Sequence, residues 1–279
     1  MGSGTGRATG KARGIAAGST YVALGSSMAA GPGIPPVVDR KAMRSGRNYP
    51  HQVAERLDLS LIDATVSGAT TDTVVHARQK TLLGSVPPQI EELVPDADLV
   101  TLTIGGNDLG YIGGLTGGSV MTTVAGLPLL LPPVRSLIRS RAHFRTDPAK
   151  VASVAGAIGD VVQAVWAVAP TARVVLVDYL TVVGAHAQQS RALPLSVEEQ
   201  DQVKATAEGL AAAFVRAAEA TGADLVCASA ASIEHGVGSP EPWVTGFEWG
   251  NPLAGGKIPY HPTLAGMTAV AELIVRQLT

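Results

Sequence analysis

Several features that define other classes of protein are scarce in this chain of 279 residues. It has one cysteine, Cys227, which excludes an intramolecular disulfide and a cysteine-based zinc site. Aromatic residues make up only 4% of the chain and its net charge is −2, so neither base-stacking platforms nor a nucleic-acid-binding surface is expected. No uninterrupted apolar run reaches the roughly 18 residues that a membrane span needs, so no transmembrane segment is predicted.

Apolar residues, by contrast, make up 46% of the chain, which is ample for the core of one large domain. The first eighteen residues lack an apolar signal core and predict a flexible or expression-derived leader, followed by a single domain over 19–279. A signal peptide that has been removed would leave the same sequence. The chain is therefore compatible with a secreted, a cell-envelope or a cytoplasmic protein, and we expect a monomer.

Five short apolar runs without strict alternation are typical of buried parallel strands. The runs are Thr20 to Leu24, Leu59 to Val66, Leu99 to Ile104, Arg173 to Val177 and Asp224 to Ala228. Helical patterns cover Tyr49 to Leu57, Pro148 to Val168, Ser196 to Thr221 and Pro262 to Leu278. This alternation predicts a flavodoxin-like, three-layer α/β/α sandwich with a parallel five-stranded sheet. In such sheets, ligands bind at the carboxyl ends of the strands.

The segment 110–147 interrupts this alternation. It contains a glycine-rich run, a run of leucine and proline, and four arginines at positions 135, 139, 141 and 145. A long segment without a strand or helix pattern is usually functional, so we interpret it as an insertion. Its arginines are expected either to form a solvated helix face or to contact an anionic substrate or a lipid surface.

Four loops at the same predicted edge of the sheet carry groups that can react or donate hydrogen bonds. Ser27 follows the first strand, Gly68 the second and Asn107 the third, while His261 precedes the last helix. Each has an ordinary structural explanation, such as a helix cap, a turn or a buried histidine. Together they also offer a nucleophile, a backbone N–H that a glycine leaves accessible, an amide donor and a base.

The order of these groups resembles the SGNH hydrolases, also called GDSL-type esterases and lipases. The matching blocks are Gly-Ser-Ser at 25–27, Gly68, Gly-Gly-Asn-Asp at 105–108 and His-Pro-Thr-Leu-Ala-Gly-Met at 261–267. The resemblance extends from about Tyr21 to the end of the chain. It implies the SGNH hydrolase fold and the hydrolysis of carboxylic acyl esters or lipids through an acyl-serine, without a metal or an organic cofactor. It also makes the insertion at 110–147 a candidate lid or part of an acyl pocket.

The resemblance also implies a role for each matching residue. Ser27 would be the nucleophile and His261 the general base. The oxyanion would be held by the backbone N–H groups of Ser27 and Gly68 and by the side chain of Asn107.

Two positions depart from the family pattern. Ser26 stands where the family usually has an aspartate that supports the loop, and a serine can replace part of its hydrogen bonding. Ile258 stands where many relatives place the aspartate that orients the histidine. We therefore expect a main-chain carbonyl, that of Ile258, to accept the Nδ1–H of His261, with Asp178 or Glu248 as the alternatives.

Other functions are compatible with the same fold. A carbohydrate acetylesterase, a phospholipase or a transacylase would use the same residues on a different substrate. A non-catalytic flavodoxin-like module would instead bind phosphate or flavin at the first loop. That loop lacks a P-loop lysine, and aromatic residues that could stack on a flavin are few, so the sequence favours the ester hydrolase.

Overall fold

A computed structural model describes residues 14–125, 147–248, 250–251 and 254–279 of the chain, with the side chains of 121–125 left out. Residues 1–13 of the predicted leader lie outside the described residues. So do residues 126–146 of the predicted insertion, with all four of its arginines.

The described residues form short strands and helices that alternate along the chain. The strands are β1 (Thr20–Gly25), β2 (Val37–Asp39), β3 (Arg44–Ser45), β4 (Ser60–Asp63), β5 (Gln79–Thr81), β6 (Gly84–Val86), β7 (Leu99–Thr103), β8 (Arg173–Val177) and β9 (Asp224–Val226). The helices are α1 (Ser27–Ala30), α2 (Tyr49–Leu57), α3 (Thr71–Val75), α4 (Gly106–Leu109), α5 (Tyr111–Ala125), α6 (Pro148–Val168), α7 (Val197–Thr221), α8 (Ala228–Ala231) and α9 (Leu264–Leu278).

Five strands form one parallel sheet in the order β4-β1-β7-β8-β9. Counted along the chain, this is the order 2-1-3-4-5 of flavodoxin-like folds, which confirms the predicted fold class. The strand β4, which follows β1 in the sheet along the chain, pairs with one side of β1, and the next strand, β7, pairs with its other side. Because the strand order reverses between β1 and β7, the crevice at their carboxyl ends is the expected ligand site.

Local sequence signals set the helix ends. The side chains of Ser196 and Glu199 form a capping box at the start of α7, and Gly222 ends that helix in the left-handed conformation. The predicted start of the last helix at Pro262 is two residues too early. The Thr263 side chain accepts the Gly266 N–H at 3.1 Å, so Thr263 is the cap and α9 begins at Leu264.

The first part of the segment 110–147 is a helix, α5, and not the irregular loop that its glycines suggested. Tyr111, Leu115 and Ser119 are buried, and their spacing of four residues places them on one helical face. Burial of that face against the domain stabilises a helix whose glycine content alone would disfavour it.

One helix in the described part of the chain, α6, is long and apolar enough to cross a membrane by length and composition. Its buried side chains include Val154, Ile158, Val161 and Val165, which recur every three or four residues. The helix packs against α7, so this face contributes to the core of the domain.

Candidate active site

Ser27 lies where the end of β1 turns directly into α1. Gly25 has a φ of +148°, and a Cβ atom there would lie 2.6 Å from the carbonyl oxygen of Thr103, so this close approach of β1 to β7 requires glycine. The Ser26 N–H donates to the same oxygen at 2.8 Å. Ser27 is 7% exposed, and its N–H has no acceptor within the helix because it is the first helical residue. The turn therefore holds a serine hydroxyl and an available N–H together.

The Gly68 loop and the Asn107 turn are joined to each other and to β1. The Val66 N–H donates to the Gly25 carbonyl at 3.0 Å, and Asn107 Nδ2 donates to the Ala69 carbonyl at 2.7 Å. Gly68 itself has a φ of +85°, and no acceptor within the described part of the chain takes its N–H. One proton of the Asn107 amide is used, which leaves the second available. The turns that follow the adjacent strands β4, β1 and β7 therefore lie together at one edge of the sheet, as the sequence predicts.

Tyr179, which follows β8, links the serine turn to the Asn107 turn. Its hydroxyl accepts the Gly106 N–H at 3.0 Å and shares a 2.9 Å hydrogen bond with Ser26 Oγ. A Cβ atom on Gly106 would lie 2.5 Å from a carbon of the tyrosine ring, so the ring packs directly on this glycine. Burial raises the pKa of Tyr179 to about 12, so the hydroxyl stays protonated at neutral pH. Ser26 is thereby hydrogen-bonded, although it cannot supply the charge of the family's aspartate.

A buried glutamine supports the same turn from the other side. Gln89 is 2% exposed, and its amide accepts the Gly25 N–H at 2.8 Å and donates to the Gly25 carbonyl at 3.0 Å. Sequence reasoning identified neither Gln89 nor Tyr179. The one signal in the sequence is that Tyr179 lies just after a predicted strand, at the edge of the sheet that carries the other candidate site residues.

His261 is 8% exposed and lies just before the cap of α9. Its Nδ1 lies 2.8 Å from the carbonyl oxygen of Pro259. A carbonyl oxygen can only accept, so Nδ1 carries the proton and Nε2 has the free lone pair. Glycines beyond α1 contact this part of the chain, since a Cβ atom on Gly31 would lie 3.0 Å from Met267 Cε and one on Gly33 would lie 2.5 Å from the Gly256 carbonyl. Gly256 and Met267, which lie on either side of His261 in the sequence, therefore approach the end of α1, the helix that begins with Ser27.

The prediction that the Ile258 carbonyl orients His261 is wrong by one residue. Tyr260 has a φ of +60°, and this left-handed residue separates the histidine from the Pro259 carbonyl that it contacts. The Ile258 carbonyl instead accepts the Thr245 hydroxyl at 2.5 Å. Thr245 also holds the His261 backbone, because its Oγ1 accepts the His261 N–H at 3.1 Å.

The two carboxylates considered as alternatives are engaged elsewhere. Asp178 accepts the N–H of Ser229 at 2.8 Å and its hydroxyl at 2.5 Å, and burial raises the pKa of this carboxyl to about 6. Glu248 pairs with Lys257 at 2.6 Å. Among the described residues, no group of three or more His, Cys, Asp or Glu side chains is arranged to hold a metal ion.

A cavity of about 480 Å³ lies beside Tyr179, the side chain that links the serine turn to the Asn107 turn. Tyr179 and Leu180 form part of its wall, and Tyr111, Ala207 and Ile233 form other parts. Its lining is mostly apolar. Because Tyr179 also contacts the Ser26 and Gly106 turns, the cavity adjoins the site through this one side chain. The described residues thus present a serine hydroxyl, an imidazole nitrogen with a free lone pair, available N–H groups and an apolar cavity.

Comparisons with known proteins point to one family. The model of the GDSL-like lipase/acylhydrolase family matches residues 23–269. Lipase 2 of Streptomyces coelicolor is 33% identical over 259 residues, which are 90% of this chain and 83% of that protein. The crystal structure of phospholipase A1 from Streptomyces albidoflavus has a TM-score of 0.72 at 25% identity, covering 94% of this chain and all of that one. An extracellular lipase from Streptomyces rimosus shares the fold, with a TM-score of 0.68 at 23% identity over 94% of this chain and all of that one.

The matched segment contains all four motif blocks and nearly the whole described domain. These relatives from Streptomyces are named as a lipase and a phospholipase A1, which are enzymes that hydrolyse lipid esters. The chain therefore belongs to the GDSL-like lipase/acylhydrolase family, and it is a carboxylic ester hydrolase.

Proposed function

We propose that this ester hydrolase works through a serine–histidine pair, with Ser27 as the nucleophile and His261 as the general base. The observation that carries the proposal is the bond between His261 Nδ1 and the Pro259 carbonyl. This bond fixes the tautomer in which Nε2 can take a proton, a task that an aspartate performs in many serine hydrolases. A carbonyl dipole suffices to orient the ring, although it stabilises the imidazolium less than a carboxylate would.

The reaction has two halves that conserve protons. In the first, Ser27 Oγ attacks the acyl carbonyl carbon while its proton passes to His261 Nε2. The tetrahedral intermediate then collapses, the alcohol leaves with that proton, and an acyl-serine remains. In the second half, water attacks the acyl-serine, His261 takes a proton from the water, and the same proton returns to Ser27 as the acid leaves.

The oxyanion of each tetrahedral intermediate is proposed to lie against three donors. These are the backbone N–H groups of Ser27 and Gly68 and the free proton of the Asn107 amide. The supporting observation is that these donors sit on turns tied together by hydrogen bonds, so they need little reorganisation when charge develops.

We propose that the acyl chain of the substrate occupies the apolar cavity lined by Tyr111, Leu180 and Ala207, which favours lipid-like esters over carbohydrate acetates. The helix α5, which begins at Tyr111, then contributes to the acyl pocket as expected for the insertion. The names of the relatives, a lipase and a phospholipase A1, agree with this substrate class.

A substitution that fills the cavity tests this assignment. Ala207→Phe is expected to lower kcat/KM for octanoyl and longer nitrophenyl esters about tenfold and to leave acetyl ester hydrolysis unchanged, because the ring takes the volume of the distal chain. The measurement is kcat/KM across acyl chain lengths. Ala205→Phe is the matched control, since Ala205 is exposed on the same helix and does not line the cavity. A chain-length profile that Ala207→Phe leaves unaltered contradicts the acyl assignment, and a preference for acetyl esters in the wild type supports a carbohydrate acetylesterase.

The buried base also sets the pH dependence. Burial lowers the pKa of His261, and the bond to the Pro259 carbonyl offsets only part of that effect. Only the neutral imidazole can act as base, so a lowered pKa extends activity to lower pH. The acid limb of kcat/KM is therefore expected to have its midpoint below 6.5, the value of an unperturbed histidine. A midpoint above 6.5 in a pH–rate profile would contradict the buried, carbonyl-bound state of the base.

A further inference from the structure

Gln79, the first residue of β5, contacts the loop that carries Gly68. It is 7% exposed, and its Nε2 donates to the carbonyl oxygen of Ser67 at 2.7 Å. The Ser67 carbonyl and the Gly68 N–H belong to the same peptide group. The glutamine therefore holds one end of the peptide whose other end is a proposed oxyanion donor.

The geometry of a peptide group transmits this contact. A trans peptide is planar, and its C=O and N–H bonds point in opposite directions. A donor fixed on the Ser67 oxygen thus fixes the direction of the Gly68 N–H. The same hydrogen bond polarises the peptide, which makes its N–H a better donor.

Gln79 and the loop are closely packed. A Cβ atom on Gly68 would lie 3.3 Å from Gln79 Nε2, and the φ of +85° already favours glycine at this position. On either side of Gly68, the Ser67 N–H donates to the Ala42 carbonyl and the Ala69 N–H to the Val66 carbonyl. The neighbouring peptides are thus fixed by the backbone, while the Ser67–Gly68 peptide is fixed by a side chain.

The amide of Gln79 satisfies the Ser67 carbonyl but is itself only half satisfied. Gln79 Oε1 and Ser67 Oγ are buried and have no hydrogen-bond partner within the described part of the chain. A buried polar atom without a partner destabilises the folded state, so the unpartnered Oε1 offsets part of what the bond to the Ser67 carbonyl contributes. What an apolar side chain could not supply is the donor to the Ser67 carbonyl.

We propose that Gln79 is a positioning residue of the oxyanion site, which aims the Gly68 N–H at the developing charge by holding the Ser67 carbonyl. The proposal rests on the proposed role of the Gly68 N–H in catalysis. In this proposal Gln79 acts only through the Ser67–Gly68 peptide and takes no part in the chemical steps.

The test compares Gln79→Met with Gln200→Met. Methionine keeps the length of the side chain and removes the donor. In the Gln79 variant, kcat should fall about tenfold to a hundredfold with KM changed less than about twofold, a smaller loss than that from removing an oxyanion donor outright. Gln200 is an equivalent buried glutamine, 5% exposed, whose Nε2 donates to the Leu195 carbonyl at 2.9 Å at the start of α7. Gln200→Met should alter thermal stability without a comparable loss of kcat.

Gln79→Glu provides a second readout. A carboxylate of the same shape cannot donate to the Ser67 carbonyl, whereas a protonated carboxyl can. The ratio of the variant's kcat to that of the wild type should therefore rise as the pH is lowered from 8 to 5.5, an effect that a packing defect would not produce. The ratio cancels the titration of His261, which both proteins share.

Two outcomes would overturn the proposal. One is an unchanged kcat in Gln79→Met, and the other is an equal loss of kcat in Gln200→Met. Ser27→Ala, assayed on the same ester, separates this failure from that of the proposed function. If Ser27→Ala stays active, the serine mechanism is wrong; if it is inactive while Gln79→Met is unimpaired, only the role of Gln79 is wrong.

Discussion

Replacing Ser27 with alanine is expected to lower kcat for nitrophenyl acyl esters by about 10⁴-fold or more, because the acyl-serine cannot form. The protein should remain folded. Ser26, and not Ser27, is the cap residue of α1, so the substitution leaves the helix cap in place. Alanine only removes one oxygen atom from a side chain that is 7% exposed. A thermal unfolding curve checks the fold, and steady-state kinetics check the activity. A fluorophosphonate probe, which reacts with activated serines, should label the wild type and not the variant.

A second serine provides the control for this experiment. Ser239 is 8% exposed, and its Oγ has no hydrogen-bond partner in the described part of the chain, so it matches Ser27 in burial. Ser239→Ala should retain both the activity and the labelling. Substantial hydrolysis or labelling by Ser27→Ala would show that another residue is the nucleophile.

The sequence predicts the sheet well because its signals are local. The apolar run Arg173 to Val177 is the strand β8, and the pattern from Pro148 to Val168 is the helix α6. The strand β4 is shorter than the apolar run Leu59 to Val66 that predicted it. Its pairing with β1 stops at Asp63, and the following residues form the Gly68 loop. Apolar character continues through that loop because it is buried, so hydropathy alone does not show where the ladder ends.

The supports of the site could not be predicted in the same way. Tyr179 reaches Ser26 across 153 residues of sequence, and Gln89 reaches Gly25 across 64. Their partners are a side chain in a distant turn and a backbone group, which no periodicity encodes. The sequence does not show that the Pro259 carbonyl, and not that of Ile258, orients His261. The identity of the accepting carbonyl depends on the left-handed conformation of Tyr260, which is uncommon outside glycine, asparagine and aspartate.

Replacing Asn107 with alanine is expected to lower kcat by about 10² to 10³-fold, or about 2.7–4 kcal/mol of barrier, with KM changed much less. One amide proton bonds the Ala69 carbonyl at 2.7 Å, which leaves the second for the oxyanion, and the oxyanion exists only after attack. The adjacent Asp108 provides a control for simple loosening of the loop. Its carboxylate accepts the Thr71 N–H at 3.1 Å and the Thr71 hydroxyl at 2.6 Å, so it holds the same turn without being an oxyanion donor. Asp108→Ala should therefore lower the melting temperature at least as much as Asn107→Ala and kcat far less. If Asn107→Ala raised KM alone, the amide would bind substrate in the ground state and would not stabilise the transition state.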